Sequence, residues 1–164
     1  MFEIKVSSYN ESKDLIAQGW PTKIIGVIGD KDLLIQGPHH LHVIFDDIAR
    51  PVLGYIHPTE DHFAEILAFS REFTDDDRVL VHCHFGISRS TAIAIAILIQ
   101  HGMTYLDAYY HIEMLRPILS PNKLIIHYID RRFGLDGKLS EIVNQNEKYP
   151  NLFYRQILTQ GDKA

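Results

Sequence analysis

The nine residues 82–90, which read HCHFGISRS, constrain the fold of this chain more than any other stretch. They contain Cys83, the only cysteine of the chain. The apolar residues 79–81 lead into the stretch, and a longer apolar run, residues 92–99, follows it. This order is typical of a buried strand, a tight loop and a buried helix. We therefore expect a strand–loop–helix unit that places the cysteine at the mouth of the helix.

The predicted loop has the features of an anion-binding site. A helix N-terminus offers unpaired backbone N–H groups and the positive end of the helix dipole. Gly86 permits a backbone conformation that other residues avoid, so that successive N–H groups can point inward. Arg89 adds a planar guanidinium that can bind two oxygens of one phosphate, and Ser90 brings a hydroxyl close to the sulfur. The same field favours the thiolate of Cys83, which indicates attack on a bound phosphoryl group.

The spacing Cys-x5-Arg, with His82 before it and Ser90 after it, resembles the signature of the cysteine-dependent protein tyrosine phosphatases. The ending GISRS is most similar to their dual-specificity branch. The resemblance implies that Cys83 is the nucleophile, that Ser90 stabilises the departing thiolate and that His82 supports the thiolate through hydrogen bonds. It also implies a catalytic arginine and a phosphate-binding loop, formed by His84, Phe85, Gly86, Ile87, Ser88 and Arg89. The alternative is a buried, inert cysteine beside a chance arginine.

Two carboxylates, Asp46 and Asp47, follow residues 42–45, whose pattern predicts a strand. Acidic side chains just past a strand end are well placed for a site at one edge of a parallel sheet. In the dual-specificity branch, an aspartate at this place protonates the leaving oxygen. By that resemblance we expect Asp47 to be the general acid, with Asp46 in reserve. The segment 48–58 is longer than the branch pattern, and a solvated Asp pair in a turn is the alternative.

A second point of resemblance is the stretch 116–122, RPILSPN. The same phosphatases carry an arginine and then Pro-Asn at the start of a helix after the signature. There the asparagine hydrogen-bonds back to the phosphate-binding loop, which implies a supporting role for Asn122. A plain helix cap is compatible with that role. The resemblance covers residues 22–133 and leaves the tail, residues 148–164, outside it.

The alternation of strand and helix patterns predicts the fold class. Strands are expected at residues 2–6, 23–28, 42–45 and 78–82. Helices are expected at 11–18 with Asn10 as the cap, from 59, from 92 to Gly102, at 104–115, 123–133 and 140–147. Together with the resemblance, this predicts an α/β fold with a mostly parallel central sheet of four to five strands, flanked by helices on both faces.

Composition limits the classes of function. The chain has 164 residues and a net charge of −5, which argues against a nucleic-acid or membrane partner. A single cysteine rules out an internal disulfide and suits a reducing cytosol. From the pattern of apolar and basic residues we expect no signal peptide and no membrane-spanning run. We expect one cytoplasmic catalytic domain over residues 1–164, of the small bacterial type, and the oligomeric state stays open.

The expected activity is metal-independent, cofactor-free hydrolysis of phosphate monoesters through a phosphocysteine. A phosphorylated protein or peptide is the expected partner. Phosphotyrosine is favoured because Phe85 and Ile87 suit an aryl phosphate and the loop has no lysine. The alternatives are a phosphoinositide or RNA 5′-phosphatase, a sulfur transferase of the rhodanese kind, and a phosphopeptide-binding pseudophosphatase. His39, His40 and His42 do not form a convincing metal-ligand set.

Overall fold

The fold is built on a parallel four-stranded sheet. A computed structural model of the protein describes residues 1–29, 33–35 and 39–148. The strands are β1 (Glu3–Ser7), β2 (Lys23–Ile28), β3 (His40–Ile44) and β4 (Arg78–His82). The helices are α1 (Tyr9–Ala17), α2 (Glu60–Ser70), α3 (Arg89–Gln100), α4 (Tyr105–Leu115), α5 (Lys123–Phe133) and α6 (Lys138–Lys148). The strand order is β1-β4-β2-β3, and every neighbouring pair is parallel, which confirms the predicted fold class.

Strand β4 lies in the interior of the sheet, between β1 and β2. Its residues Val79, Leu80 and Val81 are all fully buried. An interior parallel strand is covered on both faces, which explains an uninterrupted apolar run instead of an alternating one. The chain leaves β4 at the carboxyl edge of the sheet. Because all four strands are parallel, the residues that follow β3 emerge at the same edge as Cys83.

The apolar run after the signature forms α3, the central helix of the core. Residues 89–98 of this helix are all buried, and α3 packs against β1, β2 and β4 as well as α2, α4 and α5. A helix that is apolar on every side needs such surroundings, so the Ala/Ile alternation is helical here despite its strand-like pattern. Helix α1 contacts β1 and β4 and contributes no side chain to this core in the described residues, which places helices on both faces of the sheet.

Several predicted boundaries were wrong. Ser8, and not Asn10, caps α1, because the Ser8 hydroxyl accepts the N–H of Glu11 and the Glu11 carboxylate accepts the N–H of Ser8. This is the reciprocal capping box of the pattern Ser-x-x-Glu. Strand β3 begins two residues early, at His40, since His40 pairs with Ile24 of β2.

Two helices are also longer than the sequence predicted. Helix α3 begins at Arg89, because the loop tightens directly into the first turn, and α6 extends over Lys138–Lys148. The predicted tail after residue 148 lies outside the described residues. Among the helices that the structure describes, none combines the length and the apolar character needed to cross a bilayer.

Candidate active site

The thiol of Cys83 lies at the base of the signature loop, which we define as residues 83–89. Cys83 follows β4 directly and is 2% exposed. Its Sγ lies 3.1 Å from Oγ of Ser90 and 3.3 Å from the backbone nitrogen of Gly86. The Gly86 N–H donates to the sulfur, and the Ser90 hydroxyl is placed to do the same. The loop therefore surrounds the sulfur with polar hydrogens.

Gly86 is the residue that makes this loop possible. Its φ is 71°, in the left-handed region that favours glycine. A Cβ at this position would also lie 2.5 Å from the carbonyl carbon of Ser7 and 2.6 Å from the nitrogen of Ser8. No side chain fits there, because the obstacle is backbone. The end of β1 thus forms the floor on which the signature loop rests.

The carbonyl groups of the signature loop point away from the sulfur, and each of those from residue 84 to 88 accepts a hydrogen bond from outside the loop. The donors are the N–H of Tyr9 to His84 (3.1 Å), Arg116 Nη2 to Phe85 (3.5 Å), Arg116 Nε to Gly86 (3.2 Å), the N–H of Ser120 to Ile87 (3.0 Å) and the N–H of Asn122 to Ser88 (3.3 Å). In a trans peptide the N–H points opposite to the C=O, so the N–H groups are turned toward the concave side. Such a nest binds anions.

Arg116 has a role that the sequence analysis did not assign to it. Its guanidinium binds the carbonyls of Phe85 and Gly86 and also forms an ion pair with Glu11, at 3.1 Å. One side chain therefore joins α1, the end of α4 and the signature loop. The signal was present in the RPILSPN stretch, but the chain positions of its three partners are too far apart to be inferred from spacing.

The guanidinium of Arg89 is buried, with 6% exposure. Its Nη1 donates to the carbonyl of Phe45, at the end of β3, over 2.7 Å. Its Nε has no partner among the described residues. One side of the guanidinium is thus fixed by the sheet edge, which leaves other N–H groups for an anion in the loop.

Asp47 is brought to the signature loop from the segment after β3. Its Oδ1 accepts hydrogen bonds from Oγ of Ser88 at 2.7 Å and from Nδ2 of Asn122 at 2.9 Å. The same amide nitrogen donates to the carbonyl of Ile48 at 3.1 Å. The carboxylate is therefore hydrogen-bonded to the signature loop through Ser88 and to the start of α5 through Asn122.

Asp46 points to a different place. Its Oδ2 accepts the N–H of Ile56 at 2.7 Å, and its own N–H donates to the carbonyl of Ile56 at 2.6 Å. Oδ1 lies against Gly29, where a Cβ would come within 2.5 Å of it. Asp46 thus closes the base of the segment 46–58, which we call the acid loop. Of the two candidate acids, the geometry favours Asp47.

His82 lies beside the site without touching the sulfur. It is fully buried, and neither of its ring nitrogens has a hydrogen-bond partner in the described part of the chain. The expected hydrogen bond that supports the thiolate is therefore not made there. Instead the ring faces His42 across Gly26, with ring centroids 6.2 Å apart, and His40 at 6.1 Å.

His82 and His40 stay uncharged at neutral pH. Burial, together with the neighbouring His42, lowers the pKa of His82 to about 4. Burial and the two neighbouring imidazoles lower the pKa of His40 to about 3. Across residues 1–29, 33–35 and 39–148, no group of three or more His, Cys, Asp or Glu side chains is arranged to hold a metal ion.

The outer rim of the site is aromatic and apolar. Phe85 is 66% exposed and stands edge-on to the ring of His84, with centroids 4.5 Å apart. Ile87 is partly exposed on the same loop. Cys83 and Arg89 are buried below these side chains. An entering group would therefore pass an aromatic rim before it reached the sulfur.

Two solved structures illustrate the fold that this chain shares with known proteins. The crystal structure of DUSP15 matches with a TM-score of 0.62 at 22% identity, over 91% of this chain and 93% of that one. The Yvh1 phosphatase domain from Chaetomium thermophilum matches with a TM-score of 0.63 at 21% identity, over 85% and 95% of the two chains. The fold is thus that of a cysteine-dependent phosphatase.

The family follows from the sequence matches. The family model described as dual specificity phosphatase, catalytic domain, matches residues 39–130. Dual specificity protein phosphatase 18 of Bos taurus is 31% identical over 107 residues, which are 62% of this chain and 54% of that protein. The chain spans about half the length of the curated relatives it matches. It belongs to the dual specificity phosphatase family.

Proposed function

We propose that this chain is a protein phosphatase that hydrolyses phosphate monoesters through a phosphocysteine at Cys83. The observation that carries the proposal is the signature loop, in which five outward carbonyls are bonded from outside while Cys83 lies at the centre. Membership of the dual specificity phosphatase family supports the same chemistry. The loop supplies the positive field that phosphoryl transfer needs, so the mechanism uses no metal or cofactor.

In the first step, the thiolate of Cys83 attacks the phosphorus of the bound monoester. The sulfur–phosphorus bond forms as the bond from phosphorus to the leaving oxygen breaks. The inward N–H groups of the loop and the guanidinium of Arg89 hold the three remaining oxygens and stabilise their charge in the transition state. Asp47 gives its proton to the leaving oxygen, which departs as the free alcohol or phenol.

In the second step, water attacks the phosphocysteine. Asp47, now a carboxylate, takes a proton from this water as the new oxygen–phosphorus bond forms. The sulfur–phosphorus bond breaks, and its electron pair returns to the sulfur of Cys83. The hydroxyl of Ser90, 3.1 Å away, donates a hydrogen bond to the departing thiolate. Inorganic phosphate leaves, and the starting state is restored.

The substrate we favour is a phosphotyrosyl protein. The exposed ring of Phe85 and the side chain of Ile87 offer an aryl phosphate an apolar rim. The signature loop contains no lysine, so extra phosphate groups such as those of a phosphoinositide would find fewer cations. The acidic net charge of the chain disfavours RNA.

Phosphate release from a phosphotyrosyl peptide in EDTA tests the proposal. We expect turnover by the wild type and none by Cys83→Ser, with circular dichroism used to show that the variant is folded. The same assay is run with a phosphoseryl peptide, a phosphoinositide and 5′-triphosphorylated RNA to rank substrates. Peptide binding without turnover by the wild type would instead establish a phosphopeptide-binding module. Turnover by Cys83→Ser would refute the phosphocysteine.

A further inference from the structure

Ser88 occupies the N-cap position of α3 but does not cap that helix. Its side chain makes no hydrogen bond to the first turn of α3, although serine at this position ordinarily accepts one. The hydroxyl donates instead to Oδ1 of Asp47, over 2.7 Å. The helix thereby keeps its first N–H groups open for an anion. The hydroxyl of Ser88 therefore binds the acid loop and not its own helix.

Asn122 is the N-cap of α5, and it does cap its helix. Its Oδ1 accepts the N–H groups of Leu124 and Ile125, at 3.1 and 3.2 Å. Its Nδ2 points the other way and donates to Oδ1 of Asp47 and to the carbonyl of Ile48. Serine, threonine or aspartate would cap the helix equally well. Only asparagine offers the cap oxygen together with two N–H donors. The hydrogen bonds to the acid loop therefore explain why this cap is asparagine and not serine, threonine or aspartate.

Both donors bind the same oxygen of Asp47. Within the described residues, every hydrogen bond to this carboxyl group goes to Oδ1. An oxygen that accepts two hydrogen bonds has both lone pairs engaged and cannot also carry the acidic proton. The proton of the neutral acid therefore belongs on Oδ2.

We propose that Ser88 and Asn122 are positioning residues for the general acid. They hold Oδ1 of Asp47 so that the protonated Oδ2 faces the leaving oxygen above Cys83. The inference rests on the proposed function, in which Asp47 is the acid. Because Ser88 directly precedes the phosphate-binding Arg89, the position of the acid is set by the same loop that binds the phosphate.

The test is a series of aryl phosphates whose leaving phenols differ in basicity. A correctly placed acid keeps kcat/KM nearly independent of the leaving phenol, because the proton neutralises the departing oxygen. In Asn122→Ser the cap oxygen is retained and the amide donors are lost. We expect kcat/KM for the most basic phenol to fall about tenfold, with a smaller fall for the most acidic phenol.

Ser88 is tested with a conservative pair of variants. Ser88→Ala removes the donor and is expected to steepen the dependence on the leaving phenol as Asn122→Ser does. Ser88→Thr keeps the hydroxyl, so its kcat/KM is expected to depend on the leaving phenol as weakly as that of the wild type. In an Asp47→Asn background, neither Asn122→Ser nor Ser88→Ala should steepen it further, because there is no acid left to position.

A helix cap elsewhere serves as the matched control. Thr104 caps α4 through its hydroxyl, which accepts the N–H of Asp107 at 3.1 Å, and it has no contact with Asp47. Thr104→Ala should lower stability and leave the dependence on the leaving phenol unchanged. If kcat/KM depended more steeply on the leaving phenol in Thr104→Ala as well, the effect of Asn122→Ser would be explained by lost stability alone. That result would overturn the inference.

The failures can be told apart. If Asp47→Asn keeps the wild-type dependence, Asp47 is not the acid and the positioning inference falls with it, while loss of turnover in Cys83→Ser still upholds the phosphatase. If Asp47→Asn steepens the dependence but Asn122→Ser and Ser88→Ala do not, the acid stands and the positioning inference is overturned.

Discussion

At the scale of single residues, Gly86 carries the strictest requirement in the molecule. Two independent constraints exclude a side chain at this position. One is the positive φ, and the other is the contact with the backbone of Ser7 and Ser8, so a change that removed one constraint would leave the other in place. The sequence could indicate that a glycine belongs in an anion-binding loop. It could not show that β1, almost eighty positions away in the chain, forms the floor beneath it, because nothing in local pattern encodes that contact.

Gly86→Ala is expected to lower kcat/KM about a hundredfold, because displacement of the loop by the new Cβ misaligns the N–H groups with the phosphate. Steady-state kinetics on an aryl phosphate measure the effect. Gly102→Ala is the matched control, since Gly102 also has a positive φ, 96°, but a Cβ there meets nothing within 4 Å. It should cost stability and spare activity. Equal losses in the two variants would refute the role of the floor contact.

At the scale of elements, the strand–loop–helix unit around Cys83 was predictable because its apolar runs are long and its loop has a specific pattern. Helix α3 needed more than its own sequence, since alternating Ala and Ile fits a strand until the packing on every side is known. The row His42–Gly26–His82 across β3, β2 and β4 was not predictable. It depends on strand register, which places two histidines opposite a glycine that leaves room for their rings.

His82 and His40 make the sheet sensitive to acid. The pKa of His82 is about 4 in the folded chain, below its ordinary value of 6.5, so the unfolded chain binds a proton first as the pH falls. Stability is therefore complete above pH 6.5 and is lost progressively as the pH falls toward 4. Between pH 7 and pH 5 we expect His82 to lower the free energy of unfolding by about 2 kcal/mol, and His40 to add to the loss.

Urea denaturation at both pH values measures this loss. His82→Leu removes the titrating ring and should make the difference between pH 7 and pH 5 smaller. His127→Leu, at an exposed position of α5, should leave the difference unchanged. A wild type whose unfolding midpoint is the same at both pH values would contradict the expectation, whatever the variants do.

At the scale of the whole molecule, the candidate site is built from segments that lie far apart in the chain, and local sequence patterns do not show which of them come together. The proposed roles of Cys83, Arg89 and Asp47 could be predicted because each residue lies at a place that the resemblance marks. The part played by the N-terminal segment could not be predicted, because it consists of backbone groups, a floor contact and the Glu11 carboxylate, whose partner Arg116 lies far away in the chain.

Residues 1–38 lie outside the family match, yet the N-terminal segment touches the signature loop at three points. The N–H of Tyr9 donates to the carbonyl of His84, the N–H of Cys83 donates to the carbonyl of Ser7, and Gly86 lies against the backbone of Ser7 and Ser8. A single domain and a cytoplasmic location stay predictions.

Arg116 tests whether this assembly matters to activity. Among the residues that the structure describes, it is the one side chain that joins α1 to the outward carbonyls of Phe85 and Gly86. Arg116→Gln should lower kcat/KM about tenfold, because those carbonyls lose their donors and the N–H groups of the loop lose their fixed direction. Glu11→Gln should change it less than about twofold, since it removes only a partly exposed ion pair and an amide can still accept in the capping box.

A second exposed ion pair supplies the control for Arg116. Arg131 and Glu60 lie 2.9 Å apart and are 62% and 60% exposed, and neither contacts the signature loop. Arg131→Gln should leave kcat/KM unchanged. If Arg116→Gln behaved like Arg131→Gln, the signature loop would keep its shape without support from Arg116. If Glu11→Gln fell as far as Arg116→Gln, the ion pair itself, and not the bonds to the carbonyls, would hold the loop. Kinetics on the three variants, with unfolding measured in parallel, therefore decide whether Arg116 and its link to α1 support catalysis or only the fold.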